Sequence, residues 1–270
     1  MSLNAVYPIH MTATTMVQAQ RTFEHAAESI ASGLNSYVNP ADSFIASGLD
    51  TSIRSAKLAI SAAETGYNFT SIADSALAGV SDSLQRIREL TIQASNGIYS
   101  DEQRSVIQAE INQNVSQIKQ TLENATMNGK KTINAVTPEN SNVAPVMDFV
   151  VGSDVSTTVS YDPNIVLGDM NFDVSSPQKA SESLANIDEM LTDINAKRGE
   201  IGAVQSSFES AIEQQSSNII SFSSSLSNIQ DTDYISAIMD LKKSQFTLEA
   251  MAKVMKTVMN SQSYVLDLLK

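Results

Sequence analysis

The chain has 270 residues, of which 42 % are hydrophobic but only 6 % aromatic, with no Trp and no Cys. The lack of Cys excludes disulfides, thiolate metal centres and Cys nucleophiles, and two histidines, His10 and His25, are too few for a His-rich metal site. A formal charge of −13 argues against nucleic acid or an anionic membrane as a direct partner, because phosphate recognition needs clustered Lys and Arg.

The N-terminus, Met-Ser-Leu-Asn-Ala-Val-Tyr-Pro, lacks the basic and apolar regions of a secretory signal peptide. A cytosolic protein, or one exported without such a signal, is expected. No apolar run is long enough to span a bilayer. Alternating three- and four-residue spacing then picks out Ile9, Ala13, Met16, Gln20, Phe23, Ala27, Ile30 and Leu34, a coiled-coil-like seam.

Residues 41–94 read as a long helix with apolar or small positions from Ile45 to Ile87, stopped by Asn96-Gly97. Ser100 with Gln103 has the spacing of a capping box and starts a further helix carrying Ile107, Ile111, Val115, Ile118 and Leu122, which ends before Asn128-Gly129. The pattern changes over 132–174, where Met147–Val151 and Val155–Tyr161 flank Gly152-Ser153-Asp154 and predict a β-hairpin.

Ser176-Pro177 supplies a helix start, and from Leu184 to Ile229 eleven of fourteen positions at heptad spacing are large and apolar. At 1.5 Å per residue such a helix runs roughly 78 Å, against roughly 50 Å for the diameter of a compact globule of this length. If it passes Gly199 and Gly202 unbroken, the molecule is a rod. A last seam comprises Ile238, Leu241, Gln245, Leu248, Ala252, Met255, Met259, Gln262, Leu266 and Leu269, and neither Gly nor Pro occurs after Gln230. The two chain ends together are nearly neutral, so almost all the negative charge lies between them. Neutral ends fit burial in an assembly.

No residue set points to catalysis, to a metal or to a cofactor. His10 has no second ligand at metal spacing, and His25 sits on a helical face between Glu24 and Glu28. Asp231, Asp233, Asp240 and Asp267 have no partnered base, and no phosphate-binding loop or nucleophile elbow is present.

Several blocks resemble the bacterial flagellins. They are Leu-Gln-Arg-Ile-Arg-Glu-Leu-Thr-Ile-Gln-Ala-Ser-Asn-Gly at 84–97, Ile-Gln-Ala-Glu-Ile at 107–111 and Met-Asn-Gly-Lys-Lys at 127–131. Ala31-Ser32-Gly33-Leu34 precedes them, and Ile201-Gly202-Ala203-Val204-Gln205, Ile229 to Tyr234 and Val265-Leu266-Asp267-Leu268-Leu269 follow. Asn39-Pro40-Ala41-Asp42 is closer to the hook–filament junction proteins, distant relatives with similar terminal helices.

The resemblance implies a mainly α fold: an elongated rod of long antiparallel coiled-coil-like helices formed by both chain ends, with a small β-hairpin-containing middle segment. It divides the chain into 1–42 and 231–270 as an inner filament-core domain, 43–134 and 180–230 as a rod domain, and 135–179 as a short variable segment. It implies a structural subunit of the bacterial flagellar filament, a helical homopolymer exported through the flagellar type III channel, with no enzymatic activity. Assembly seams would comprise Ile9, Met16, Phe23, Ile30, Leu34, Ile238, Leu241, Leu248, Met255, Met259, Leu266 and Leu269. Implied partners, besides the chain itself, are an export chaperone, the filament cap and the hook–filament junction proteins. A host Toll-like receptor would meet Arg86, Leu90 and Glu110, which match the family's receptor and inter-subunit contacts. The alternatives are a junction adaptor, or a secreted flagellin-like protein acting on host receptors.

Overall fold

The computed structural model describes residues 3–35, 39–138, 140–154 and 156–268, with the side chains of 3–10, 12 and 262–268 outside that description. Five helices dominate: α1 (Leu3–Ser32), α2 (Pro40–Ser95), α3 (Asp101–Asn124), α4 (Pro177–Gln230) and α5 (Tyr234–Leu268). Six short strands lie between α3 and α4: β1 (Thr126–Met127), β2 (Lys130–Lys131), β3 (Asn134–Val136), β4 (Met147–Val150), β5 (Thr158–Tyr161) and β6 (Asn164–Val166). The chain forms two compact units, one of Met1–Ile53 with Ile220–Lys270 and one of Arg54–Ile219.

Helix starts follow local chemistry. Asn39 accepts from the Asp42 N–H at 2.9 Å with Pro40 in the first helical position, so the Asn-Pro-Ala-Asp block is the N-cap of α2. Ser100 and Gln103 form the capping box of α3, each side chain accepting from the other's backbone N–H at 3.3 and 3.0 Å. The Lys179 N–H donates to Ser176 Oγ at 3.3 Å at the head of α4. Helix α4 continues unbroken through Gly199 and Gly202. Asp233 Oδ1 accepts from the N–H groups of Ile235 and Ser236 at the start of α5, while Asp231 accepts from Ser227. Two of the four isolated aspartates are therefore helix-end groups.

The central unit has its own core. Leu77, Leu84 and Ile87 of α2, Ile111 and Ile118 of α3, and Ile187, Ile194 and Ile201 of α4 are fully enclosed. The buried positions of α4 include 187, 194, 201, 208 and 215, spaced seven apart, with Met190 and Lys197 covered between them. Leu184, Leu191 and Arg198 of the expected seam are half-buried. The stripe is three residues wide per heptad because the helix packs against more than one neighbour.

The strands cover one side of this bundle. β1 and β2 pair antiparallel around Asn128-Gly129, whose φ values of 50° and 76° are those of a two-residue hairpin turn. β4 and β5 form the expected hairpin, Met147 opposite Tyr161 and Val150 opposite Thr158. β3 and β6 pair in parallel, joined also by Asn134 Nδ2 donating to Asn164 Oδ1 at 2.8 Å. Aromatic rings tie the strands to the helices. Phe149 of β4 stands edge-on to Phe208 of α4 (5.4 Å, 87°) and 6.0 Å from Phe69 of α2, which also meets Tyr161 at 5.9 Å. Burial pushes the Tyr161 phenol up, and its O–H donates to the Thr132 carbonyl at 2.7 Å. A Cβ at Gly66 would stand 2.4 Å from the Phe208 ring, so only glycine lets α2 and α4 approach here.

The terminal unit pairs α1 with α5 and adds the ends of α2 and α4. Gly33, at φ +73°, ends α1 in the left-handed conformation, its N–H donating to the Ser29 carbonyl at 2.9 Å. The following segment bridges to the end of α4, Asn35 N–H to Gln230 O at 2.7 Å and Thr232 N–H to Gly33 O at 3.0 Å.

Candidate assembly surface

Among the described residues the terminal unit buries five hydrophobic side chains, Ala19, Ala26, Ala46, Ala237 and Ile53, whereas the central unit buries most of the large apolar residues of the chain. Between α1 and α5 the covered positions are Ala19, Ala26, Ser29, Ala237 and Ser244. Small residues let two helices approach closely but bury little apolar area. Several large side chains of the same unit are exposed: Phe44 is 81 % exposed, Ile235 and Phe246 both 73 %, Met259 66 % and Met239 61 %.

The expected seam positions divide accordingly. Met16, Phe23, Ile30, Leu241, Leu248 and Met255 are half-buried. Leu34, Ile238 and Met259 are exposed. The side chains of Ile9, Leu266 and Leu269 lie outside the described residues. Every second position of the buried stripe falls one residue earlier than the spacing predicts, at Ala19 and Ala26 instead of Gln20 and Ala27, and at Ala237 and Ser244 instead of Ile238 and Gln245. A second stripe of α5 escaped the sequence reading. Ile235, Met239 and Phe246, at i, i+4 and i+11, share the face opposite Ala237 and Ser244, with Lys242 and Lys253 among them. Its signal was in the sequence, as an apolar set parallel to the seam.

On the central unit Arg86 reaches Glu110 with Nε at 3.2 Å and Nη2 at 2.7 Å, and Glu89 with Nη1 at 3.2 Å. The hydrogen bond that Arg86 donates to Glu110, with that to Glu89 second, raises the Arg86 pKa and holds the guanidinium in its fork. Arg86 and Glu110 are about half exposed. Leu90 is 3 % exposed and belongs to the core, so a partner approaching the folded chain meets the two charges and not this side chain. Arg88 pairs with Asp188 at 2.6 Å and Arg198 with Asp74 at 2.8 Å, tying α2 to α4. His25 is half-buried on α1. No three of the described His, Asp and Glu side chains converge as metal ligands, and no described helix is long and apolar enough to cross a membrane.

The terminal helix pair thus leaves a stripe of large apolar side chains uncovered, whereas the central unit encloses its own core. The bacterial flagellin N-terminal helical region matches residues 3–137 and the C-terminal helical region matches 184–269. The chain belongs to the flagellin family. It is 29 % identical over 222 residues to the flagellar filament 30.7 kDa core protein of Treponema maltophilum, covering 76 % of each chain. It is 27 % identical over 278 residues to flagellin FlaB2 of Treponema pallidum, covering 93 % of this chain and 96 % of that one. The fold is also that of a putative flagellar hook-associated protein from Vibrio parahaemolyticus, with a TM-score of 0.59 over 70 % of this flagellin and 98 % of that chain at 15 % identity.

Proposed function

We propose that this flagellin is a structural subunit of an extracellular flagellar filament that serves motility, and that it polymerises by burying the outward apolar face of its terminal unit against other copies. The observation that carries this reading is the exposure of Phe44, Ile235, Met239 and Phe246 in a unit whose fully buried side chains, among the described residues, are four alanines, two serines and Ile53. Such a unit gains too little from its own burial to offset the entropy of ordering its helices, and docking onto a neighbour supplies the missing area. Residues 1–42 and 231–270 then form the inner part of the filament, 43–134 and 180–230 the rod around it, and 135–179 the segment turned outward. The subunit leaves the cell through the flagellar type III channel and catalyses no reaction. A chaperone that covers the apolar terminal face before export, the filament cap and the junction proteins are its further partners.

Deleting 251–270 tests the scheme. The truncated chain should stay monomeric under conditions in which the full chain forms filaments visible by electron microscopy; filaments of the truncation would sink the reading. Arg86 and Glu110 serve contacts between subunits, and a Toll-like receptor that reads the same pair would engage the monomer. Loss of signal in receptor reporter cells on Arg86→Ala, with the parent active, checks that second role.

A further inference from the structure

Two Asn-Gly pairs lie in the central unit, Asn96-Gly97 between α2 and α3 and Asn128-Gly129 between β1 and β2, and all four residues are exposed. Such a pair has a chemistry of its own. Glycine has no Cβ, so its backbone nitrogen approaches the preceding side chain without hindrance. When that nitrogen reaches the Asn Cγ it displaces ammonia and closes a five-membered succinimide. By sequence the two pairs are alike. The fold separates them.

At Asn128 the backbone is set against ring closure. Its φ of 50° and the 76° of Gly129 belong to a two-residue hairpin turn, closed by the pairing of Met127 with Lys130 and Thr126 with Lys131. In this left-handed conformation the Gly129 nitrogen is turned away from the Asn128 side chain, so attack requires the hairpin to open first. At Asn96 the side chain is already folded onto the backbone that follows it. The Ile98 N–H donates to Asn96 Oδ1 at 3.3 Å. This closes an Asx turn, a ring that contains both Asn96 Cγ and the Gly97 nitrogen. The same hydrogen bond draws electron density from the side-chain carbonyl and leaves Cγ more open to attack. Among the described residues neither the Gly97 N–H nor Asn96 Nδ2 has a hydrogen-bond partner, so nucleophile and leaving group are both free to react. The surrounding turn keeps the arrangement in place: the Tyr99 N–H donates to the Asn96 carbonyl at 3.3 Å, and Gln93 Nε2 to the Tyr99 hydroxyl at 2.9 Å.

We propose that Asn96 is a site of spontaneous deamidation and that Asn128 is protected by its hairpin. Hydroxide removes the Gly97 amide proton, and the nitrogen bonds to Asn96 Cγ. The bond from Cγ to Nδ2 breaks, and Nδ2 takes a proton from water and leaves as ammonia. Water then opens the succinimide at either carbonyl, giving aspartate or isoaspartate, with nothing oxidised or reduced. Either product places a new carboxylate just beyond the C-terminus of α2, where the helix dipole disfavours negative charge. Isoaspartate also lengthens the turn by one methylene. Both changes weaken the turn between α2 and α3.

Peptide mapping by mass spectrometry tests it on the full-length monomer held at mildly alkaline pH, following the mass gained when an amide becomes an acid. Methylation by an isoaspartyl methyltransferase counts the isoaspartate. In the folded chain Asn96 should convert about tenfold faster than Asn128 or more, and the rate should rise with pH because the nucleophile is the deprotonated amide. In urea the two rates should converge to within about threefold, since only the fold distinguishes them. Gly97→Ala should slow conversion at Asn96 about tenfold by crowding the nitrogen. A Cβ at position 97 meets nothing within 4 Å, so this variant should melt as the parent does. Should it melt lower, the ratio of the two rates in the parent, folded against urea, decides. Equal rates at Asn96 and Asn128 in the folded chain, or a preference for Asn96 that persists undiminished in urea, overturns the proposal.

Discussion

Phe246→Ala separates assembly from folding. The side chain is 73 % exposed on the α5 face turned away from α1. Full burial of a Phe side chain stabilises by about 1.5–3 kcal/mol, and roughly three quarters of that surface is still free to be buried by a neighbour, leaving about 1–2 kcal/mol for the contact between subunits. At 1.4 kcal/mol per decade, its removal raises the critical concentration for polymerisation by about 5- to 30-fold. The isolated subunit should change by no more than about 0.5 kcal/mol, because the ring touches little within it. Sedimentation of filaments at a series of total concentrations gives the first quantity and thermal melting of the monomer the second. A critical concentration within twofold of the parent would refute docking through this stripe of α5, and a monomer that melts many degrees lower would show that Phe246 packs within its own subunit.

Gly66→Ala should destabilise the central unit by about 1–2 kcal/mol, the overpacking against Phe208 exceeding the gain of about 1 kcal/mol in helix propensity; in a Phe208→Leu background the same change should stabilise, and a rise in the urea midpoint of the single variant would refute the close approach. The Asp173 carboxyl is lowered to about 2 by the Lys179 ammonium at 2.7 Å and the Ser175 N–H at 2.8 Å. A depressed folded-state pKa contributes stability that is present above the unfolded value near 4 and is lost as pH falls toward 2. The stability gap between the parent and Asp173→Asn, read from urea melts, should therefore close between about pH 5 and pH 2, and a gap constant over that range would count against the ion pair. Arg86→Ala should leave the urea midpoint of the monomer nearly unchanged, as for other exposed pairs, yet slow elongation measured with seeds; equal elongation would remove Arg86 from the contacts between subunits.

What could be read without the fold was mostly what is local. The capping box at Ser100 and Gln103 and the start at Ser176-Pro177 depend on side chains reaching backbone within three residues, so spacing alone locates them. The β4–β5 hairpin is also local, and its strands differ from expectation only in where pairing ends. Asn128-Gly129 was legible as a stop but not as the turn of β1–β2, because two-residue strands leave no alternating pattern. The parallel β3–β6 pair joins residues thirty apart through an asparagine contact, which no periodicity encodes. Leu90 sits within a motif shared with relatives, and the motif does not say which of its side chains turns inward.

The displaced seam has a more informative cause. Spacing finds every apolar stripe on a helix but not which one meets the partner helix of the same chain. In α4 the two coincide, since the central unit must enclose Ile187, Ile194 and Ile201 within one molecule. In α5 they part. Ala237 and Ser244, with the half-buried Leu241 and Leu248 on the same stripe, face α1, and Ile235, Met239 and Phe246 are left for another surface. A terminal unit sealed internally by large residues would be stable before export and would have no apolar surface left with which to dock. A central unit sealed by alanine would have no core to carry its neighbours. An enclosed apolar stripe in one unit and an uncovered one in the other fit a subunit that carries its own core and still has apolar surface to bury against its copies.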